Sequence, residues 1–242
     1  MERRHHIIAE ARKALSPSLL KASGRALYSP ASTLDGSSPF YFLGLNPGEN
    51  ETDDQHHSHL TIEEDLARLE QDLVVEHAYL DERWKGCMPG RAPIQMAGRE
   101  VFAILCGNNP IAGDRLLRET PVSNLILPRS KSEAALLEKT GFSSAQLLAA
   151  CWPFHQAVVD VSGCQFVITH AVGAARKLAE RLNLGAGECR PSGWGGTLKS
   201  LYAWQLSSGV RLLAIPNLSR YKPNGDRALA LSAFFDEFGA IH

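Results

Sequence analysis

The sequence predicts an α/β fold: a single three-layer α/β/α domain spanning residues 1–242, with a central, mostly parallel four-stranded sheet. Three observations predict it. Short apolar runs recur at residues 40–45, 122–127, 165–170 and 210–215, and the first of them, Phe40-Tyr41-Phe42-Leu43-Gly44-Leu45, is apolar at consecutive positions, as a strand covered on both faces must be. Amphipathic stretches of period 3.6 lie between the runs. Strands alternating with helices imply crossover connections, a parallel sheet and helices on both of its faces.

The elements follow in order. Residues 3–20 read as a helix that ends near Ser16-Pro17, or restarts there with Pro17 at a first helical position. A Ser-, Pro- and Gly-rich stretch, residues 29–39, leads to the first strand, bounded by Pro39 and Pro47, so residues 1–38 form an N-terminal helix and connector. After Gly48 comes a polar, acidic, histidine-rich loop, residues 49–59. Thr61-Ile62-Glu63-Glu64 then has capping-box spacing, with Ile62, Leu66, Leu69, Leu73 and Leu80 on one stripe, and residues 49–90 make a helical insert. Residues 95–105 form another helix, ended by Gly107, and the second strand, 122–127, stops at Pro128. Ser143 and Gln146 cap a helix that yields at Trp152-Pro153, where Pro153 opens the next. The third strand, 165–170, precedes a helix striped by Ala174, Leu178 and Leu182. Residues 198–205 and 210–215 flank Ser207-Ser208-Gly209 as a hairpin whose second arm is the fourth core strand. Leu231, Phe234, Phe235 and Phe238, at i, i+3, i+4 and i+7, mark a terminal helix.

Composition narrows the function classes. At 242 residues and 44% hydrophobic the chain can bury one large core. No apolar run reaches the eighteen or so residues of a membrane span, and the basic start, Met1-Glu2-Arg3-Arg4-His5-His6, lacks a following apolar region, so a cytoplasmic protein without a signal peptide is expected. Lys and Arg number 25 against 26 Asp and Glu, so any contact with nucleic acid rests on a local patch. The five cysteines are never closer than Cys151 and Cys164, which leaves no zinc ribbon or iron–sulfur spacing and points to reduced, mostly buried thiols. Asp53, Asp54, His56, His57 and His59 invite a metal reading, but adjacent histidines on a loop lack ligand spacing, and a solvated loop has the same composition. No metal and no cofactor are expected.

In parallel sheets the ligand crevice lies outside the carboxyl ends of the strands. Four strand ends carry distinctive residues: Gly44-Leu45-Asn46-Pro47-Gly48; Asn124 with Pro128-Arg129; His170-Ala171-Val172-Gly173; and Ile215-Pro216-Asn217-Leu218-Ser219-Arg220-Tyr221. The first is a strand breaking into a Pro-Gly turn that presents an amide side chain and backbone N–H groups, with Gly44 admitting close approach to the backbone. Asn-Pro-Gly is also ordinary turn chemistry.

Taken together, these stretches resemble the uracil-DNA glycosylase superfamily, especially its mismatch-specific and single-strand-selective branches. Gly44-Leu45-Asn46-Pro47-Gly48 matches the Gly-x-Asn-Pro-Gly motif of that superfamily in full, Ser123-Asn124-Leu125 followed by Arg129 is similar to its second-strand element, and Pro216-Asn217-Leu218-Ser219-Arg220 looks like a shortened last motif. The resemblance spans residues 40–221 in element order, on about a dozen positions. It implies a monofunctional DNA glycosylase of base excision repair, a hydrolase of the N-glycosidic bond of uracil or another deaminated base, acting as a monomer on single-stranded or lesion-containing duplex DNA. Three departures stand out. Ile215 occupies the place where many members carry the His that stabilises the departing base, Gly48 replaces the Tyr of the strict uracil enzymes, and the insert from Glu49 has no counterpart.

The chemistry assigns roles on that resemblance. The target base must leave the stack, and the site must hold a water near the sugar carbon and hydrogen-bond the departing base. Asn46, with no useful pKa, orients the water, and Asn217 is the second candidate catalytic residue. Backbone N–H groups around Leu45 and Asn46 cradle a base carbonyl, with Gly44, Gly48 and Trp84 completing the base site. Asn124 offers a donor and an acceptor to the O4/N3–H edge of uracil, or simply closes a turn. Leu218 is the wedge that fills the hole of the flipped base, Ser219, Arg220 and Arg129 meet DNA, and Tyr221 stacks. Arg129, Lys131, Arg220 and Lys222 compose the local basic patch. Glu49, Asp53 or a neutral His of the loop is a candidate base. His170 faces the crevice or is a satisfied core histidine; Tyr79 and Trp84 stack on a base or pack a helix; the role of Trp194 is open. Two other classes compete: a catalytically silent member that binds nucleic acid or a protein partner, and a small-molecule hydrolase acting on a free nucleoside or nucleotide.

Overall fold

The computed structural model describes residues 2–36, 38–46, 48, 60–194 and 199–241. Its strands are β1 (Phe40–Gly44), β2 (Val122–Asn124), β3 (Phe166–Thr169), β4 (Glu188–Arg190), β5 (Leu201–Gln205) and β6 (Arg211–Ala214). They form one sheet of order β2-β1-β3-β6-β5-β4. The run β2-β1-β3-β6 is parallel throughout, while β5 and β4 extend it antiparallel. The four expected strands are the parallel part. The extra edge strand β4, Glu-Cys-Arg with two exposed residues, carries no apolar run by which a sequence announces a strand.

Nine α-helices stand among the described residues: α1 (Glu2–Ala14), α2 (Pro17–Leu20), α3 (Ile62–Glu70), α4 (Pro93–Leu105), α5 (Pro110–Glu119), α6 (Glu133–Thr140), α7 (Ser144–Ser162), α8 (Val172–Arg181) and α9 (Asp226–Glu237). Alternation along β1 divides the core. Tyr41 and Leu43 face Ile7, Ile8, Leu66, Val158 and Leu178 on one side; Phe40 and Phe42 face Phe102, Leu117, Phe234 and Phe235 on the other. Helices thus cover both faces, giving the three layers. No helix among the described residues is long and apolar enough to cross a membrane.

Several expected elements differ in extent. The capping box at Thr61 forms, with Glu64 as its reciprocal partner, but α3 stops at Glu70 and Asp72 takes a left-handed φ of 60°. Leu73 is consequently 54% exposed, and neither it nor Leu80 belongs to the helical stripe. α7 does not yield at Trp152-Pro153: it runs through Pro153. The ring of Pro153 is exposed and Ala149, whose carbonyl it leaves without an amide donor, is half-exposed, so water can take the bond. Helices α5 and α6 were not foreseen, although Asn109 and Ser132 cap them.

The register places the carboxyl ends of the parallel strands side by side: Gly44 opposite Asn124, Leu43 opposite Thr169, and Thr169 opposite Ala214. Past the regular strand the chain stays paired, with Leu125 N donating to Gly44 O and Ile126 N to Leu45 O at 3.0 and 2.9 Å.

Candidate active site

Three strand ends meet at Gly44. A Cβ there would collide with the side-chain Oδ1 of Asn124 and lie 3.3 Å from His170 Nε2. The absence of a side chain is therefore what lets the amide of β2 and the imidazole after β3 close over the end of β1. Asn124 is half-buried, and among the described residues its side-chain amide makes no hydrogen bond. It retains a donor and an acceptor at this point.

His170 is 4% exposed, and it is not a satisfied core histidine. Nε2 lies 3.2 Å from the hydroxyl of Tyr79, while Nδ1 is buried with no partner among the described residues. Burial holds the imidazole neutral, pushing its pKa down to about 4, and the same burial raises that of the Tyr79 phenol. The two rings are set by Phe42, which packs on His170 at 5.5 Å and on Tyr79 at 5.8 Å. Tyr79 in turn meets Trp84 edge-on at 5.4 Å, and Trp84 Nε1 donates to Glu82 Oε2 at 3.0 Å. Glu82 is buried and ion-paired with Arg25 at 2.7 Å. Trp84 is therefore half-buried and pinned, one ring removed from His170.

The first motif is clamped by the segment after β2. Asn46 Nδ2 donates to Ser130 O at 2.9 Å, which fixes the plane of its amide. Arg129 Nη1 donates to Gly48 O at 2.8 Å. Leu45 is 36% exposed and Gly48 is exposed.

The last motif differs from expectation. Leu218 is 1% exposed and packed in the core beneath α9; as a buried core side chain it is not a projecting wedge. Tyr221 is fully buried, its hydroxyl shared between Ser192 O and Arg227 O at 3.1 and 3.0 Å, so it offers no face for stacking. Asn217 is exposed, but its Oδ1 accepts from Ser219 N at 2.9 Å and its carbonyl from the amides of Arg220 and Tyr221. It builds the turn that buries Leu218 and Tyr221. Ser219, Arg220 and Lys222 are exposed on that turn, and Ile215 is fully buried. Trp194 packs on Tyr221 at 5.8 Å, with Lys199 Nζ 4.5 Å from its ring centroid.

The structure thus joins Gly44, Asn124 and His170 directly and ties Asn46 and Gly48 to Ser130 and Arg129. Among the described residues no contact draws Arg220 and Lys222 to Arg129 and Lys131. The candidate bases Glu49 and Asp53 and the cluster Asp54, His56, His57 and His59 lie outside the described residues. Among the described residues no three His, Cys, Asp or Glu side chains gather as metal ligands. For His170 and Tyr79 the sequence left a place in the crevice and ordinary packing both open. The signal available was a polar ring ending an otherwise apolar strand beside a Gly-ended neighbour.

Chemically the arrangement offers an unspent amide, a neutral imidazole and an oriented second amide, all at the carboxyl edge of a parallel sheet. The Asn124 amide, with one donor and one acceptor, can hydrogen-bond a planar heterocycle along one edge. No protein-family model matches the chain, and no curated protein matches it.

Proposed function

We propose that the chain is a DNA glycosylase that hydrolyses the N-glycosidic bond of uracil or another deaminated base. One observation carries the reading: the Asn124 amide stands unspent over the bare Cα of Gly44, and His170 beside it has its Nδ1 buried without a partner among the described residues. A buried or half-buried polar group without a partner is costly, and a base edge supplies what both lack.

In this reading Asn124 reads the base and the neutral His170 donates to the oxygen that gains charge as the base departs. The bond from the sugar carbon to the base nitrogen breaks with its electron pair on the base. The oxygen of a water held by Asn46 Oδ1 bonds to that carbon. The water loses a proton to solvent and the base takes one up, leaving an abasic site and free base. The amide of Asn46 moves no proton; it orients the water, and its bond to Ser130 keeps it from turning.

The test is single-turnover excision on oligonucleotides, single-stranded and duplex, carrying uracil, hypoxanthine, xanthine or a G:T mismatch. Alkali-labile nicks at one of these are expected, and Asn46→Ala should slow them about 100-fold or more, the range of a lost positioning or polarising group. No free base from any substrate overturns the reading. A second reading, binding of nucleic acid without excision, is favoured by the apolar, fully buried Ile215 at the end of β6; it predicts oligonucleotide binding that Asn46→Ala leaves intact, with no nicks.

A further inference from the structure

We infer that residues 83–91 form a rigid arm that grips the DNA strand on either side of the base site; the inference rests on the glycosylase reading for its partner. The arm is closed at its root, where Gly90 N and Gln95 Nε2 both donate to Glu82 O, at 3.2 and 2.9 Å, and Arg99 Nη1 donates to Gly90 O at 3.3 Å. Its tip is a tight turn. Lys85 and Gly86 both take left-handed φ, 52° and 70°, and Cys87 N donates to Trp84 O at 3.0 Å. The one large side chain pointing inward, Trp84, is pinned by Glu82 and by Tyr79, the residue that also holds His170. The arm and the base site therefore share one aromatic wall.

Its outward chemistry is cationic with an apolar tip. Arg83, Lys85 and Arg91 are exposed, no acidic residue occurs between positions 83 and 91, and Met88 is 64% exposed. Elsewhere in the chain Arg4, Arg12, Arg25, Arg99, Arg118 and Arg190 are ion-paired. Among the described residues Arg83 and Arg91 pair with no carboxylate. Unpaired guanidinium groups flanking a bare thioether match a strand that alternates phosphates with apolar base faces, and methionine is among the side chains that wedge against bases. Because the turn is already ordered, little conformational entropy opposes binding. The arm thus provides the projecting apolar side chain that the buried Leu218 does not.

The experiment is fluorescence anisotropy of a labelled single-stranded oligothymidine with the full chain, from 50 to 200 mM salt. Removing both guanidinium groups (Arg83→Ala with Arg91→Ala) should weaken binding about tenfold and flatten the slope of log K against log salt by about 1.4, two single-strand phosphate contacts. Met88→Ala should weaken binding several-fold with the slope unchanged. All three positions are exposed, and an unchanged thermal midpoint confirms that the variants fold. Wild-type affinity and slope in the double variant overturn the inference, as does a wild-type chain that does not bind the oligonucleotide. Displacement of the strand by poly-glutamate at equal charge concentration would assign the arm to acidic protein and overturn it too. A double variant that loses strand binding in a chain that excises nothing overturns the glycosylase reading alone; an excising chain whose double variant binds normally overturns the arm alone.

Discussion

Gly44 is the position on which the candidate site turns, and it can be tested without knowing the substrate. A methyl group there meets the Asn124 amide at well under van der Waals contact, with His170 Nε2 also close. The main chain cannot give way, because Gly44 O and Leu45 O are both committed to the amides after β2. Asn124 must therefore swing out. Gly44→Ala should cost about 1–3 kcal/mol of stability, the usual range for overpacking, read as a lower urea midpoint at unchanged m. It should also abolish excision, since the displaced amide no longer faces the base. A variant as stable as the parent would mean that the side chains do not close over Gly44. The importance of Gly44 was legible in the sequence as a glycine at the end of a buried strand. The fate of Leu218 and Tyr221 was not, because Asn217-Leu218-Ser219-Arg220 looks the same whether the turn projects its leucine or buries it; that choice is made by the apolar face of α9, remote in the chain.

Helix ends decide much of what surrounds that site, and each is a local device. α5 starts where Asn109 Oδ1 accepts from the amides of Ile111 and Ala112, both at 3.1 Å, with Pro110 in the first turn. It packs on α4, where Gly113 lets it approach the backbone of Phe102 and Ala103 closely. Asn109→Ala leaves two amides without an acceptor and should cost about 1 kcal/mol, measurable as a lower thermal midpoint, whereas Asn109→Asp should hold the parent value. The same reasoning shows where sequence patterns succeed. Caps written within four residues, at Thr61 and Ser143, were readable and form as read. Strand β1 was readable as an unbroken apolar run, and β3 and β6 by three consecutive apolar residues each. Pro153 misled because a helix can carry a proline where the orphaned carbonyl reaches water, and exposure is a property of the packed molecule. The edge strand β4 exists because β5 offers it a ladder, which three residues of Glu-Cys-Arg cannot foretell.

At the scale of the whole molecule, three buried histidines among the described residues make the fold sensitive to acid above the range where carboxylates respond. Burial pushes His77, His155 and His170 each down to about 4. His155 of α7 ties Tyr41 of β1 to the segment after β2: its Nε2 faces the carbonyl of Leu125 at 3.3 Å, which can only accept, so Nδ1 takes the proton donated by Tyr41 Oη at 2.7 Å. His77 precedes Tyr79, and His170 ends β3. In the unfolded chain each imidazole titrates near 6.5, whereas in the folded chain it stays neutral until about pH 4. Above 6.5 neither state gains a proton, and the full stability is present. As pH falls from 6.5 towards 4 the unfolded state binds protons that the folded state refuses, so stability is lost on acidification. Each unit below 6.5 costs about 1.4 kcal/mol per histidine. Between pH 7.0 and 5.5 the three together should remove roughly 4 kcal/mol, a fall of about 1 M or more in the urea midpoint. The carboxylates lowered by partners, Asp35 and Asp81, lose their contribution only below that window, while the buried Asp65, raised by desolvation, acts in the opposite sense. Replacing His155 by Gln should reduce the pH dependence by about a third, and a midpoint flat from pH 7.0 to 5.5 would mean that these imidazoles are reached by protons without unfolding. Because His170 follows β3 at the carboxyl edge of the sheet, excision should fail over the same window in which the fold loosens.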